Sequence, residues 1–173
     1  MGGVTREWRD DATWADPVRA FDVISPWSVG SYRTDADIDA YKPRIVADLA
    51  DCKGRNIDFM PVVFPGFSWF NLKGDPSNAF PRRGGAMYWR QVYNAVSAGV
   101  PTIYGAMFDE VDEGTAMFKV AETAADQPTQ APFVPLNVDG FALPSDWYLQ
   151  LADQAGKMLR NEIPLSSTVP ITP

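Results

Sequence analysis

Three short apolar runs alternate with stretches that carry the period of a helix. The runs are Phe-Asp-Val-Ile-Ser-Pro-Trp at 21–27, Ile-Asp-Phe-Met-Pro-Val-Val-Phe-Pro-Gly-Phe at 57–67 and Pro-Thr-Ile-Tyr-Gly-Ala-Met-Phe at 101–108. This order constrains the fold more than any other feature, because strands joined through helices run parallel and must be covered on both faces. The first intervening stretch predicts a helix over 35–53, with Thr34 as its cap and Ile38, Tyr41, Ile45, Leu49 and Cys52 on its inner stripe; Pro43 sits inside and weakens its first turns. The second predicts a helix over 86–98 with Tyr88, Val92, Ala95 and Val96 facing inward. A short helix at 14–20 precedes the first strand, and a last one over 145–161 takes Ser145 as its cap. The fold class is therefore α/β of the (β/α)8 TIM-barrel type. A whole barrel takes about 250 residues, whereas this chain shows three clear strands and a strand remnant at Met1 to Val4. The expectation is one domain over 1–173 that forms the C-terminal half of a barrel, with open strand edges that favour self-association of the piece.

Composition narrows the chemistry. The 173 residues are 46% hydrophobic, enough for one packed core, and the net charge of -7 with no Lys/Arg-rich run argues against nucleic acid as a partner. No apolar run approaches the roughly 20 residues of a membrane span. The opening Met1-Gly-Gly-Val-Thr-Arg lacks the apolar stretch of a secretory signal, and the compartment stays open, an extracellular or periplasmic one included. The chain has no histidine, which removes Ser-His-Asp and Cys-His nucleophiles and His-based metal sites. Its single cysteine, Cys52, falls on the inner helical stripe and reads as a small buried hydrophobe. Carboxylates are left to carry any acid/base work, and nothing in the pattern calls for a cofactor.

The carboxylates that stand out are Asp109, Glu110, Asp112 and Glu113, directly behind the third apolar run. Like charges at this density repel one another, so solvent, a cation or a task must offset the cost. A solvated acidic turn is one reading, and Asp109, Asp112 and Glu113 as oxygen ligands for Ca²⁺ or Mg²⁺ is another. In the third, Glu110 and Glu113, three residues apart, project into one space and supply the two carboxylates that glycoside hydrolysis needs. Two further stretches lie at strand ends. Phe-Pro-Gly-Phe-Ser-Trp-Phe-Asn at 64–71, with Trp27 on the neighbouring strand, offers either a packed loop or aromatic faces beside Asn donors that suit sugars. Arg-Arg-Gly-Gly-Ala-Met-Tyr-Trp at 82–89 offers either an ordinary helix start or amides and Arg83 for an anionic or hydroxylated ligand.

Together these three stretches resemble the glycoside hydrolases of families 99 and 71. Pro-Gly-Phe followed by Asn71, Arg83, a Gly-Gly helix start, Tyr88-Trp89 and a strand ending in Asp-Glu-Val-Asp-Glu-Gly-Thr are similar to the corresponding segments of the endo-α-mannosidase branch, over about residues 21–119. That resemblance implies a (β/α)8 barrel that hydrolyses α-linked glycosides with retention. Glu110 would assist attack by the sugar's own 2-hydroxyl and Glu113 would act as general acid and base. Trp27, Trp69, Asn71, Arg83 and Asp109 would line the subsites for an oligosaccharide or polysaccharide. Asp109, Val111 and Asp112 replace the Asn, Trp and His of the mannosidase signature, which leaves the sugar open. A reading from another class is a non-catalytic carbohydrate-binding or incomplete barrel domain that keeps the aromatic cleft without turnover.

Overall fold

A short helix, α1 (Ala15–Arg19), leads into strand β1 (Val23–Ile24) in the computed structural model, which describes residues 8–173. The remnant strand expected at Met1 to Val4 lies outside those residues. Thr34 then starts the longest helix, α2 (Asp35–Gly54), with a reciprocal cap: its hydroxyl accepts the Asp37 N–H while the Asp37 carboxylate accepts the Thr34 N–H. Pro43 interrupts neither the helix nor its stripe, since Ile38, Ile45, Leu49 and Cys52 are all buried and Tyr41 is half-buried. Asp48 joins that stripe, its charge met by Arg9 at 2.7 Å. Burial, followed by the nearby Asp48 and Asp51 charges, pushes the Cys52 thiol up to about 11, as suits an inert core residue.

The chain next forms β2 (Asp58–Phe59) and β3 (Val62–Val63), a single extended path that pairs on both edges. β2 runs parallel to β1 in the register Val23 to Asp58, and β3 runs parallel to β4 (Tyr104–Gly105) in the register Val62 to Tyr104. Parallel strands linked through helices are what the alternation predicts. The ladders are much shorter than the apolar runs at 21–27, 57–67 and 101–108, however, and proline is the reason. Pro26, Pro61 and Pro65 bring no N–H to a ladder, and Pro61 separates the two pairings, lending only its carbonyl to the Tyr104 N–H at 3.0 Å.

A short helix, α3 (Phe70–Lys73), and an antiparallel bridge between Phe67 and Phe80 order the long loop after β3. Helix α4 (Ala86–Ser97) returns to the sheet and buries Tyr88, Val92 and Ala95, with Val96 half-buried. Its buried Gln91 serves the strand end: the side chain accepts the Phe64 N–H at 3.0 Å and donates to the Phe64 carbonyl at 2.8 Å, where backbone pairing has run out. Helix α5 (Trp147–Leu159) packs on α4 through Trp147, Tyr148, Leu151 and Met158. Ser145 does not cap it. The Ser145 N–H donates to Glu122 and its carbonyl accepts the Val120 N–H, so this residue is spent on the preceding loop and the helix begins after Asp146.

One strand departs from expectation. β1 was to be buried, yet Phe21, Val23 and Trp27 are exposed and only Ile24 is inside. Among the described residues no strand pairs with its outer edge. No described helix is long and apolar enough to cross a membrane.

Candidate active site

The segments that leave β3 and β4 sit at the C-terminal ends of adjacent parallel strands, where α/β folds place their chemistry. After β4 the chain folds back on itself: the Met107 N–H donates to the Thr115 carbonyl at 3.1 Å and the Phe118 N–H to the Phe108 carbonyl at 2.9 Å. The acids 109–113 form the tip of this loop. The Glu110 carbonyl accepts both the N–H and the hydroxyl of fully buried Thr115, at 3.1 and 3.3 Å. Gly114 makes the turn at φ +67°, a left-handed conformation that favours glycine, and a Cβ there would stand 3.1 Å from Val134. The Gly-Thr that follows Glu113 is thus the closure of the turn that carries both glutamates.

Residues 68–71 grip this turn from the side of β3. The Ser68 N–H donates to the Glu113 carbonyl at 2.7 Å, the Trp69 indole N–H to the Glu113 carboxylate at 3.0 Å, and the Asn71 amide to the Asp112 carboxylate at 2.9 Å and the Pro132 carbonyl at 3.0 Å. Glu113 is therefore held at its backbone and at its side chain. Glu110 is half-buried like Glu113, but its carboxylate has no hydrogen bond or ion pair among the described residues. Asp109 is exposed. No group of three Asp, Glu or Cys side chains among the described residues is placed to hold a metal ion, so the oxygen-ligand reading of Asp109, Asp112 and Glu113 gains no geometric support.

Of the residues singled out in the sequence, Trp69, Asn71, Asp109, Glu110 and Glu113 come together here. Trp69 also lines a cavity of about 490 Å³ with Gly30, Arg33, Phe67, Asp75 and Phe80. Lys73 Nζ lies 3.3 Å from the centre of the Trp69 ring and Phe67 packs edge-on, so a cation already occupies an aromatic face that a sugar would stack on. Arg83 lies elsewhere in the network: its guanidinium pairs with Asp35 at 2.8 Å and its N–H donates to Asp139 at 2.7 Å. The Gly-Gly helix start is covered by α5, whose Trp147 indole donates to the Gly84 carbonyl at 2.9 Å and whose Leu151 would lie 2.5 Å from a Cβ on Gly85. Trp27 lines an apolar groove of about 530 Å³ over β1 together with Trp8, Trp14 and Phe21, and shares none of the hydrogen bonds around the acids.

Three participants lie inside the stretches singled out but were given no role of their own: Ser68, Thr115 and Arg82. Arg82 is buried at 2% exposure, its Nη2 donates to the Gly114 carbonyl at 2.9 Å, and its guanidinium lies 4.7 Å from the centre of the Tyr148 ring. Burial pulls its pKa down, while the Tyr148 oxygen and the Asp139 charge act in the opposite direction. Burial likewise pushes the Tyr148 phenol up to about 12. Glycine at position 66 leaves room for this arginine, since a Cβ there would stand 2.6 Å from Arg82 Cγ.

No family model matches the chain, and no curated protein matches it by sequence. Among solved structures it is similar to the GH99 endo-alpha-mannosidase from Bacteroides thetaiotaomicron, with a TM-score of 0.65 at 20% identity over 82% of this chain. It is similar also to that species' GH99 endo-alpha-mannosidase in complex with bis-tris-propane, with a TM-score of 0.60 at 19% identity over 71% of this chain. The match spans 39% and 37% of those structures' own lengths, about two fifths. The mixed α/β fold of this chain is thus that of one portion of a GH99 endo-alpha-mannosidase.

Proposed function

We propose that the chain is the C-terminal portion of a (β/α)8 retaining glycoside hydrolase that acts on α-linked glycans, with Glu110 and Glu113 as its reacting carboxylates. The observation that carries this reading is their unequal treatment on one turn: Glu113 is fixed by the Trp69 indole and the Ser68 amide, whereas the Glu110 carboxylate has no described partner. General acid/base work needs a group held in one orientation toward the departing oxygen. Glu113 supplies it, giving a proton to the leaving group and later taking one from water. Glu110 takes the proton of the sugar's 2-hydroxyl as that oxygen attacks the anomeric carbon and the leaving group departs. It returns the proton to the same oxygen as water attacks that carbon and breaks the new bond, which separates the two roles as two-carboxylate hydrolysis requires. Asn71 and Asp109 line the substrate side of the turn, and the cavity beside Trp69 receives a sugar unit. Trp27 and Arg83 stand apart from the acid turn, and any subsite role for them lies toward the groove and the start of α2.

The unpaired outer edge of β1 favours a second reading, in which these residues form an incomplete barrel that binds carbohydrate without turnover. A screen of nitrophenyl glycosides and α-linked oligosaccharides, with the anomer of the first product followed by NMR, separates the two. Turnover with retention that is lost in both Glu110→Gln and Glu113→Gln supports the hydrolase. Binding of an oligosaccharide with no turnover on any substrate supports the alternative.

A further inference from the structure

The arginine packed behind the acid turn is expensive to bury. Taking a guanidinium out of water is costly even after relaxation, and Nε and Nη1 of Arg82 make no hydrogen bond with the described residues. A methionine of similar volume would fill the space without that cost. The surroundings are nevertheless shaped for arginine: Gly66 clears its stem, the Tyr148 ring receives its guanidinium face, and the Gly114 carbonyl accepts Nη2. These contacts join the loop after β3, the acid turn after β4 and the first turn of α5.

We propose that Arg82 is a positioning residue for Glu113. The Ser68 N–H fixes the Glu113 carbonyl and the Arg82 guanidinium fixes the next carbonyl, that of Gly114. Two successive peptide planes are thereby pinned on either side of a glycine, the residue with the softest backbone. Without the guanidinium that second plane is held on its other side alone, by the Thr115 N–H on the Glu110 carbonyl at 3.1 Å; it tilts, and the Glu113 carboxylate leaves the Trp69 indole. This rests on the hydrolase reading for its catalytic consequence, though not for its structural one.

Arg82→Met in the 173-residue chain tests it, read by the indole N–H resonances of the tryptophans, with Trp69 assigned through Trp69→Phe. The Trp89 and Trp147 indoles, bonded to the Ser166 and Gly84 carbonyls, report an intact fold. The expected result is a shifted or broadened Trp69 resonance with Trp89 and Trp147 unmoved. On glycosides with poor leaving groups, kcat falls about 100-fold with little change in KM, the scale of a small misplacement of a reacting group, and activated aryl glycosides lose less. A folded variant with wild-type Trp69 resonance and wild-type kcat overturns the proposal. Should Arg82→Met fail to fold, Arg82→Gln, neutral and too short to reach Gly114, is judged by the same outcomes. If the parent turns over no glycoside, the hydrolase reading fails, and the Trp69 resonance alone decides: movement upholds the pin, and its absence overturns it.

Discussion

The two ends of the strand layer are finished in opposite ways. Beyond β4 the chain covers its own sheet, because residues 107–118 fold back, Thr115 and Ala116 are fully buried, and Ser68, Trp69, Asn71 and Arg82 all bond into the turn. Beyond β1 nothing among the described residues pairs, and Trp14, Phe21, Val23 and Trp27 stand 45–65% exposed around a groove of about 530 Å³. Polar side chains locked by several partners at one end and large apolar ones left to solvent at the other are the reverse of what transfer energies favour for a finished surface. The lesson is that aromatic residues at strand ends do not by themselves mark a sugar cleft. What marks the acid turn is the set of directed hydrogen bonds that converge on one glutamate.

The sharpest way to break this contrast is to substitute the glutamates. Glu113→Gln is expected to lower turnover by about 10²- to 10⁴-fold on glycosides with poor leaving groups, the usual worth of a positioned acid, and to spare activated aryl glycosides in part. Glu110→Gln should slow both kinds of substrate, because attack at the sugar carbon is needed whatever departs. Glu110→Gln should melt at or above the parent temperature, since it relieves repulsion among the acids, whereas Glu113→Gln also weakens the bond from the Trp69 indole and should gain less. Full activity in both would reduce the turn to a solvated acidic loop and erase the difference between the two ends.

Trp69→Phe comes next in size. It keeps a ring beside Phe67 and Lys73 but removes the donor to Glu113, and a hydrogen bond to a charged group is worth about 1.5–3 kcal/mol, so kcat should drop roughly ten- to a hundredfold. A change confined to KM would instead make Trp69 a binding surface.

The seam between α2 and α4 connects the two ends, and pH probes it. The Arg90 guanidinium, then the Asn94 amide, hold Asp39 down to about 2. A carboxylate depressed on folding stabilises above its unfolded pKa, so this contribution is complete above about pH 4 and is lost as the pH falls through about 2. Asp39→Asn should remove this pH dependence from the acid limb and lower the neutral melting temperature slightly, by the same small free energy, because the pair is largely solvated and salt-screened. An unchanged acid profile would show that the seam gains nothing from this pair.

The smallest stability effects belong to the groove. Trp14→Ser or Phe21→Ser should change stability by no more than about 0.5 kcal/mol, as for surface positions in general, yet reduce self-association, read by sedimentation. Severe destabilisation there would show that the groove is core after all.

The sequence made much of this legible because helices announce themselves locally. Thr34, the stripe from Ile38 to Cys52 and that from Tyr88 to Ala95 lie within single elements, where spacing and burial follow from one period. Strand lengths were less legible: residues 57–67 read as one strand, and only the pairing on both edges shows that Pro61 divides it in two. Ser145 misled for a similar reason, since its N–H was claimed by Glu122, 23 residues earlier. In the site, the two glutamates and Trp69 stand out by residue type. The role of Trp69 does not, because nothing at position 69 tells that its indole meets Glu113 rather than a ligand. Arg82 stands in a stretch that reads as solvated or ligand-holding; its burial behind the acid turn is legible only once Gly66 and Tyr148 are seen around it.

The span of these bonds also sets an order of assembly. Trp69 meets Glu113 across 44 residues, Asn71 meets Pro132 across 61, and the Gly84 carbonyl waits 63 residues for Trp147. A chain that grows from its N-terminus on the ribosome has α2 and β1 to β3 outside before any acid of the turn exists. The acid turn closes with bonds of its own between residues 107 and 115, but its Gly114 carbonyl waits for an Arg82 that the Tyr148 ring, further along the chain, helps to seat. Within these residues the groove end is made before the acid turn, and the Arg82 contact to the turn is completed only after Tyr148 is made.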